Sequence, residues 1–268
     1  MELQRALADY ERNGIAVFAI SYDPVSVLAG FAEKHGITYP LLGDEGSVVI
    51  RRLRMLNEQV FEQHAAFGIP RRDVAWGVAY PGAFILDTDG IVREKRFLQS
   101  YRERETGAAL LEQAFGVESA AHGPEQRASG PGLVVRAYLD APAYRLSQRR
   151  WLTVELQIAG GLHVYGRPIP EGYVPLDVTV APIEGIAMGG VEAPAPRPFQ
   201  MEGLDEQFVV YEGRVVLRLP LTFQRRVESE TLTVSVRCQA CSASDCLLPV
   251  TLDLALPIVA ENLVDLDR

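Results

Sequence analysis

The first 117 residues and the remainder of the chain follow different hydrophobic periods. Leu3, Ala6, Leu7 and Tyr10 recur at the spacing of one helix face, predicting a helix over Glu2 to Asn13 that Gly14 ends. The nearly unbroken apolar run Ile15 to Tyr22 then reads as a strand covered on both faces, as in parallel sheets. Asp23-Pro24 opens a helix to His35, and Gly36 closes it. Tyr39 to Leu42 reads as a short strand, Ser47 to Leu56 as a helix, and Asn57 to Val78 as irregular. Ala83 to Asp87 and Ile91 to Phe97 read as a hairpin around Asp89-Gly90, and Thr106 to Phe115 as a last helix.

From Leu133 the period becomes two, in short alternating runs separated by Gly and Pro. Leu133 to Leu139, Trp151 to Ile158, Leu176 to Ala181, Arg214 to Pro220, Thr231 to Arg237 and Val250 to Leu256 predict at least six strands, hence a β-sandwich. Between the halves, residues 118–132 are rich in Gly, Pro, Ser and Ala without apolar periodicity and read as an interdomain linker, in which His122 has no evident partner. Ala193 to Pro198 reads as a stiff surface strip. The expected organisation is 1–117 α/β, 118–132 linker, 133–260 all-β and 261–268 tail.

Composition narrows this picture. A chain of 268 residues can bury two cores, and a net charge of −9 argues against nucleic acid, whose phosphates demand basic patches. No apolar run reaches eighteen residues, so no transmembrane segment is predicted. Met1 leads into E-L-Q-R-A-L-A-D-Y, without the basic and apolar regions of a signal peptide, which taken literally predicts a cytoplasmic protein.

All three cysteines fall within V-R-C-Q-A-C-S-A-S-D-C-L-L-P, Val236 to Pro249. Cys241 and Cys246 are separated by a small polar segment between two predicted strands. An extended chain would part them by about 16 Å, so the segment must fold back if they are to bond. A bond closing so short a loop is readily reached by another thiol, which favours exchange; a plain structural disulfide or two reduced thiols stand beside it as alternatives. Cys238 and Cys241 also form a C-x-x-C, but at a strand end rather than at the helix N-terminus that lowers thiol pKa in redox motifs. Cys238 therefore reads as a buried small apolar residue. Zinc would need a fourth ligand, for which only His163 is a candidate, and neither a metal nor another cofactor is expected.

The run Q-A-C-S-A-S-D-C-L-L-P resembles the active-site segment of the N-terminal periplasmic domain of the thiol:disulfide interchange protein DsbD. The resemblance extends through Trp151, G-L-H-V-Y-G at 161–166 and Val174-Pro175-Leu176, covering roughly Leu133 to Ile258. It implies an immunoglobulin-like sandwich, catalytic exchange at Cys241 and Cys246, thioredoxin-like thiol-redox partners and a periplasmic location. Cys238 departs from the pattern, where an aromatic residue is usual. The family's cap loop, which shields its cysteines, corresponds to Gln200 to Tyr211, with Phe208 as the candidate cap or supporting aromatic. His163 and Tyr165 are expected to be structural. Asp245 beside Cys246 disfavours a thiolate there by like charge, which tilts the attacking role toward Cys241.

In the first half A-I-S-Y-D-P, H-G-I-T-Y-P-L-L-G-D and Y-P-G-A-F-I-L-D-T-D-G resemble the AhpC/TSA peroxiredoxin and redoxin family, with a thioredoxin-like fold. The resemblance makes Pro81 the candidate for the cis-proline that faces the family's active cysteine. No cysteine precedes Cys238, and the family's central strand and cysteine motif are absent ahead of the first helix. That strand would lie between Ile15 to Tyr22 and the hairpin, leaving unpaired backbone on both neighbours. The expectation is an incomplete, N-terminally truncated thioredoxin-like domain followed by an immunoglobulin-like sandwich. The segment Phe67 to Val78, with Arg71, Arg72, Asp73 and Trp76, reads as an exposed connection rather than an active-site loop. His35 and His64 read as solvated or core-satisfied, and Arg93 to Arg96 as a solvated strand face.

The functional expectation is a thiol-disulfide oxidoreductase relaying electrons through Cys241 and Cys246. The alternatives are a redox-inactive docking module for another thiol-redox protein and a truncated antioxidant, peroxiredoxin-like protein.

Overall fold

The computed structural model describes residues 2–66, 68–97, 105–120, 122–146, 148–200, 206–227 and 231–261. The chain divides into two compact units, Met1–Ala121 and His122–Arg268. Among the described residues no helix is long and apolar enough to cross a membrane.

The first unit runs α1 (Glu2–Arg12), β1 (Ala19–Ser21), α2 (Val25–His35), β2 (Leu41–Gly43), α3 (Val48–Arg52), α4 (Val60–Ala66), a 3-10 turn at Asp73–Ala75, β3 (Gly82–Leu86), β4 (Val92–Phe97) and α5 (Gly107–Phe115). The apolar stripe of α1 packs Ala6 and Tyr10 against Leu111 of α5, and the Tyr10 hydroxyl donates to the Gly107 carbonyl at 2.7 Å. Thr106 caps α5 by accepting from the Ala109 amide at 3.0 Å. Gly36 ends α2 at φ 61°, in the left-handed region that a Cβ would penalise.

β1 runs parallel to β2, and β3 pairs antiparallel with β4 in a separate two-stranded sheet. The run Ile15 to Tyr22 therefore yields only three strand residues. With no described strand on its other edge, Phe18 is 62% exposed instead of covered. The helix expected over Ser47 to Leu56 stops at Arg52, because Arg54 turns left-handed (φ 58°) and Leu56 leaves to bridge Ala79. The supposedly irregular stretch after Asn57 contains α4, whose seven residues are too few to display a helical period. Beyond it Trp76 stacks on Phe61 at 5.8 Å and the Arg71 guanidinium lies 4.2 Å from the Phe61 ring centroid; Phe67 lies outside the described residues. The Tyr80–Pro81 bond is trans, correcting the cis expectation; the cis bond among the described residues is Arg167–Pro168. Trans is the ground state of an X–Pro bond, and among the described residues β3, which Pro81 precedes, pairs with β4 alone.

The second unit is all-β: β5 (Gln126–Gly130), β6 (Leu133–Leu139), β7 (Arg149–Ile158), β8 (His163–Tyr165), β9 (Asp177–Val180), β10 (Ile186–Met188), β11 (Arg197–Gln200), β12 (Gln207–Glu212), β13 (Arg214–Phe223), β14 (Thr231–Cys238), β15 (Ala240–Cys241) and β16 (Val250–Pro257). They form a five-stranded sheet β10-β13-β7-β6-β5, a three-stranded sheet β16-β14-β9 and a four-stranded sheet β11-β12-β8-β15. Alternation supplies the core: Leu152, Val154 and Leu156 of β7 join Leu217 and Leu221 of β13, and meet Leu232, Val234 and Val236 of β14.

Three boundaries drawn from composition shift. Residues 126–130, read as linker, form edge strand β5 along β6, because ladder bonds need only backbone and tolerate Gly and Ser. Ser119 Oγ and the Ala120 amide, also in that stretch, donate to the Asp9 carboxylate at 2.6 and 2.8 Å. His122 has partners in the Gly123 carbonyl, 2.6 Å from Nδ1, and the Tyr138 ring, 4.6 Å away. Glu261, assigned to the tail, is held bidentately by Arg145 at 2.7 and 2.9 Å; residues 262–268 lie outside the described residues.

Candidate functional site

β14 ends at Cys238, Gln239 turns the chain, and β15 pairs Ala240 and Cys241 antiparallel with β8. Ser242 to Asp245 then folds back: the Ser242 amide donates to the Asp245 carbonyl at 2.7 Å, and the Asp245 amide donates to Ser242 Oγ at 3.0 Å. The Leu247 amide reaches the Ala240 carbonyl at 2.9 Å, closing the return. Cys241 and Cys246 are disulfide-bonded, their Cα atoms 4.0 Å apart. Small hydroxyl residues make this possible, since Ser242 satisfies the turn's amides from its own side chain.

The two sulfurs have different surroundings. Cys241 is fully buried, in a cluster with Tyr165, Phe208 and Val210, whereas Cys246 is exposed beside Leu248, itself 82% exposed. The tilt toward Cys241 as attacking sulfur, argued from Asp245, therefore meets an opposing fact. A partner's sulfur can reach Cys246 and cannot reach Cys241, and steric access acts before a nearby charge does. Asp245 is exposed and accepts from Ser244 Oγ at 2.7 Å.

Cys238 is free and buried on the opposite side of the strand, in the main sandwich core with Val164 and Ala240. Three residues along an extended chain reverse the face, so the formal C-x-x-C points its thiols apart. Burial pushes the Cys238 thiol up to about 11, which keeps it protonated and unreactive.

The site's floor is the four-stranded sheet. Phe208 in β12 is 1% exposed, with ring centroids 5.3 Å from Tyr165 and 4.9 Å from Tyr173. It shares one buried cluster with Cys241; residues 201–205 of the expected cap loop lie outside the described residues. β8 sits centrally, and across it Cys241, His163 and Glu212 stand directly opposite one another on β15, β8 and β12. His163, read from sequence as structural, is 3% exposed, and its ring lies 4.4 Å from Phe199 and 5.3 Å from Tyr165. That much fits a structural role. Its buried Nε2, however, has no hydrogen-bond partner. Burial lowers the His163 pKa, with Glu212 opposing that shift and Arg197 adding to it, so the ring is neutral at neutral pH. A cavity of about 320 Å³ opens beside it, lined by Gly160, Gly161, Phe199, Glu212 and Ala243. No sequence signal pairs His163 with Glu212, since 49 residues of chain separate them. Among the described residues, no group of three or more His, Cys, Asp or Glu could hold a metal ion.

Two family models match this chain: the AhpC/TSA family over residues 1–95, and the N-terminal domain of thiol:disulfide interchange protein DsbD over residues 136–257. Among solved structures, the N-terminal periplasmic domain of ScsB from Proteus mirabilis aligns at 20% identity and a TM-score of 0.38, covering 50% of this chain and 51% of that one. The N-terminal domain of DsbD from Neisseria meningitidis, in its reduced form, aligns at 15% identity and a TM-score of 0.29, covering 51% of this chain and 85% of that one. No curated protein matches. The architecture is thus a thioredoxin-like α/β segment followed by a DsbD N-terminal-like, immunoglobulin-like sandwich, and together with the cysteine pair it supports a thiol-redox role.

Proposed function

We propose that this two-part chain is a thiol-disulfide exchange protein working through Cys241 and Cys246. The observation that carries the reading is the asymmetry of the bond, one sulfur exposed on a polar turn and the other buried beneath it. In the reducing direction a partner's thiolate attacks Cys246 Sγ, the Cys246–Cys241 bond breaks, and Cys241 leaves with the electron pair. The partner's second thiol then resolves the mixed disulfide, releasing Cys246. Run backward, the reduced pair delivers two electrons to another protein's disulfide. Thioredoxin-like dithiol proteins are the partner class, and an extracytoplasmic compartment, where disulfides persist, is the proposed setting. Residues 1–237 contain no cysteine, which favours a docking role for the thioredoxin-like unit.

The test is thiol mapping by mass after equilibration in graded glutathione buffers. Cys241→Ser is expected to accumulate a mixed disulfide at Cys246, and Cys246→Ser to accumulate little at buried Cys241. A Cys241–Cys246 bond that never reduces without unfolding would return the site to a structural staple and leave docking as the function.

A further inference from the structure

We propose that His163 carries the proton of Cys241 during exchange and that Glu212 positions it; this rests on the exchange reading above. Three observations converge. First, Cys241, His163 and Glu212 form a lateral row across β15, β8 and β12, and directly opposite residues of antiparallel strands project to the same face with their Cβ atoms about 4.5–5.5 Å apart. Second, His163 is 3% exposed and its Nε2 has no hydrogen-bond partner, an arrangement that native interiors rarely leave unexplained. The disulfide itself explains it: oxidised Cys241 has no proton to share, and reduction creates an S–H group beside the vacant acceptor. Third, Cys241 is sealed from water, so neither a proton to be lost nor one to be regained has a direct path to solvent.

The groups facing His163 suit this role. Glu212 on β12 brings a negative charge that stabilises an imidazolium. Arg197 on β11 is ion-paired with Glu212 and moderates that charge. Tyr165 on β8 and Phe199 on β11 wall the ring, Tyr173 lies behind Tyr165, and Cys241 completes the set. Burial keeps the resting imidazole neutral and therefore able to accept a proton.

With Cys246 in a mixed disulfide with a partner, Cys241 Sγ–H gives its proton to His163 Nε2, and the sulfur's electron pair attacks Cys246 Sγ. The bond from Cys246 to the partner's sulfur breaks, and the partner leaves as a thiolate. In reverse, a partner thiolate attacks Cys246, and Cys241 leaves with the bonding pair and takes the proton back from the imidazolium. The imidazolium formed in the first direction releases its proton to solvent through the cavity that His163 lines, and in reverse the neutral ring takes one up by the same route before Cys241 leaves. The mixed disulfide with the partner is the oxidant in the first direction and the partner dithiol the reductant in the second.

The experiment preloads reduced protein, in a Cys238→Ala background, with a thionitrobenzoate mixed disulfide at Cys246 and follows release of the coloured thiolate across pH. His163→Phe keeps the aromatic packing and is expected to slow release roughly 100-fold near neutral pH, with the rate rising again as alkali ionises Cys241 directly. Glu212→Gln is expected to slow it several-fold and shift the profile in the same sense. An unchanged rate and profile in His163→Phe would overturn the proton-carrier role and leave the exchange reading standing. Failure of the parent protein to release thionitrobenzoate at all would instead overturn the exchange reading, and this inference with it. Should His163→Phe not fold, Glu212→Gln alone decides: no shift in its profile overturns the inference.

Discussion

Cys238 and Cys241 are three residues apart and chemically unlike. Cys238 faces the sandwich core and is held protonated by burial, its pKa raised from 9.0 to about 11. A thiol whose folded pKa is raised contributes stability below its unfolded value, and that contribution is lost as pH climbs from about 9 through about 11. Cys238→Ala is therefore expected to flatten the alkaline limb of the unfolding profile, while leaving the redox titration of the Cys241–Cys246 bond unchanged. Cys238→Ser places a hydroxyl in the same apolar site and should cost about 1–3 kcal/mol in denaturant unfolding. Asp9 has the opposite sign. Burial would raise its pKa, but hydrogen bonds from Ser119, Arg12 and the Ala120 amide outweigh that and hold the carboxyl below its ordinary value of 3.8. Its contribution is present above that value and disappears as pH falls through the depressed one, so Asp9→Asn should make the first unit's stability less sensitive to acid below about pH 4.

Among the elements, the four-stranded sheet positions the chemistry and the β3–β4 hairpin exposes a steric limit. Phe208 joins Tyr165, Val210 and Cys241 in one buried cluster, so Phe208→Ala should cost about 3–5 kcal/mol and loosen the support under Cys241. The expected sign is faster reduction of the disulfide by glutathione at constant pH. In the hairpin, a Cβ at Gly82 would collide with the edge of the Phe97 ring and lie 2.5 Å from the Arg96 carbonyl oxygen. Backbone cannot yield as a side-chain tip can, so Gly82→Ala is expected to unpair β3 from β4, read as accelerated amide exchange over Gly82–Leu86.

For the whole molecule, two compact units with separate cores imply two unfolding events. Calorimetry is expected to resolve two transitions, of which only the sandwich's responds to reducing agent. The disulfide closes a loop of only six residues, so its loss should lower that transition by about 2 kcal/mol and leave the fold intact. A single transition, or one in which both units shift together on reduction, would contradict independent cores.

The sequence by itself determined what is local and periodic. Period-two alternation marked β6, β7, β13, β14 and β16, helical spacing marked α1, and the crowding of all three cysteines into Val236 to Pro249 located the cysteine pair. Composition was a poorer guide where backbone rather than side chains held an element, as in β5, whose Gly and Ser read as linker yet pair with residues 133–137 of β6. Tertiary structure alone decided which sulfur is exposed, since both cysteines flank the same polar turn and only packing against Tyr165, Phe208 and Val210 separates them. It alone also aligned His163 and Glu212 with Cys241. Cross-strand register is set by hydrogen bonds between segments 78 and 49 residues apart along the chain, a distance over which no pattern of neighbours carries information.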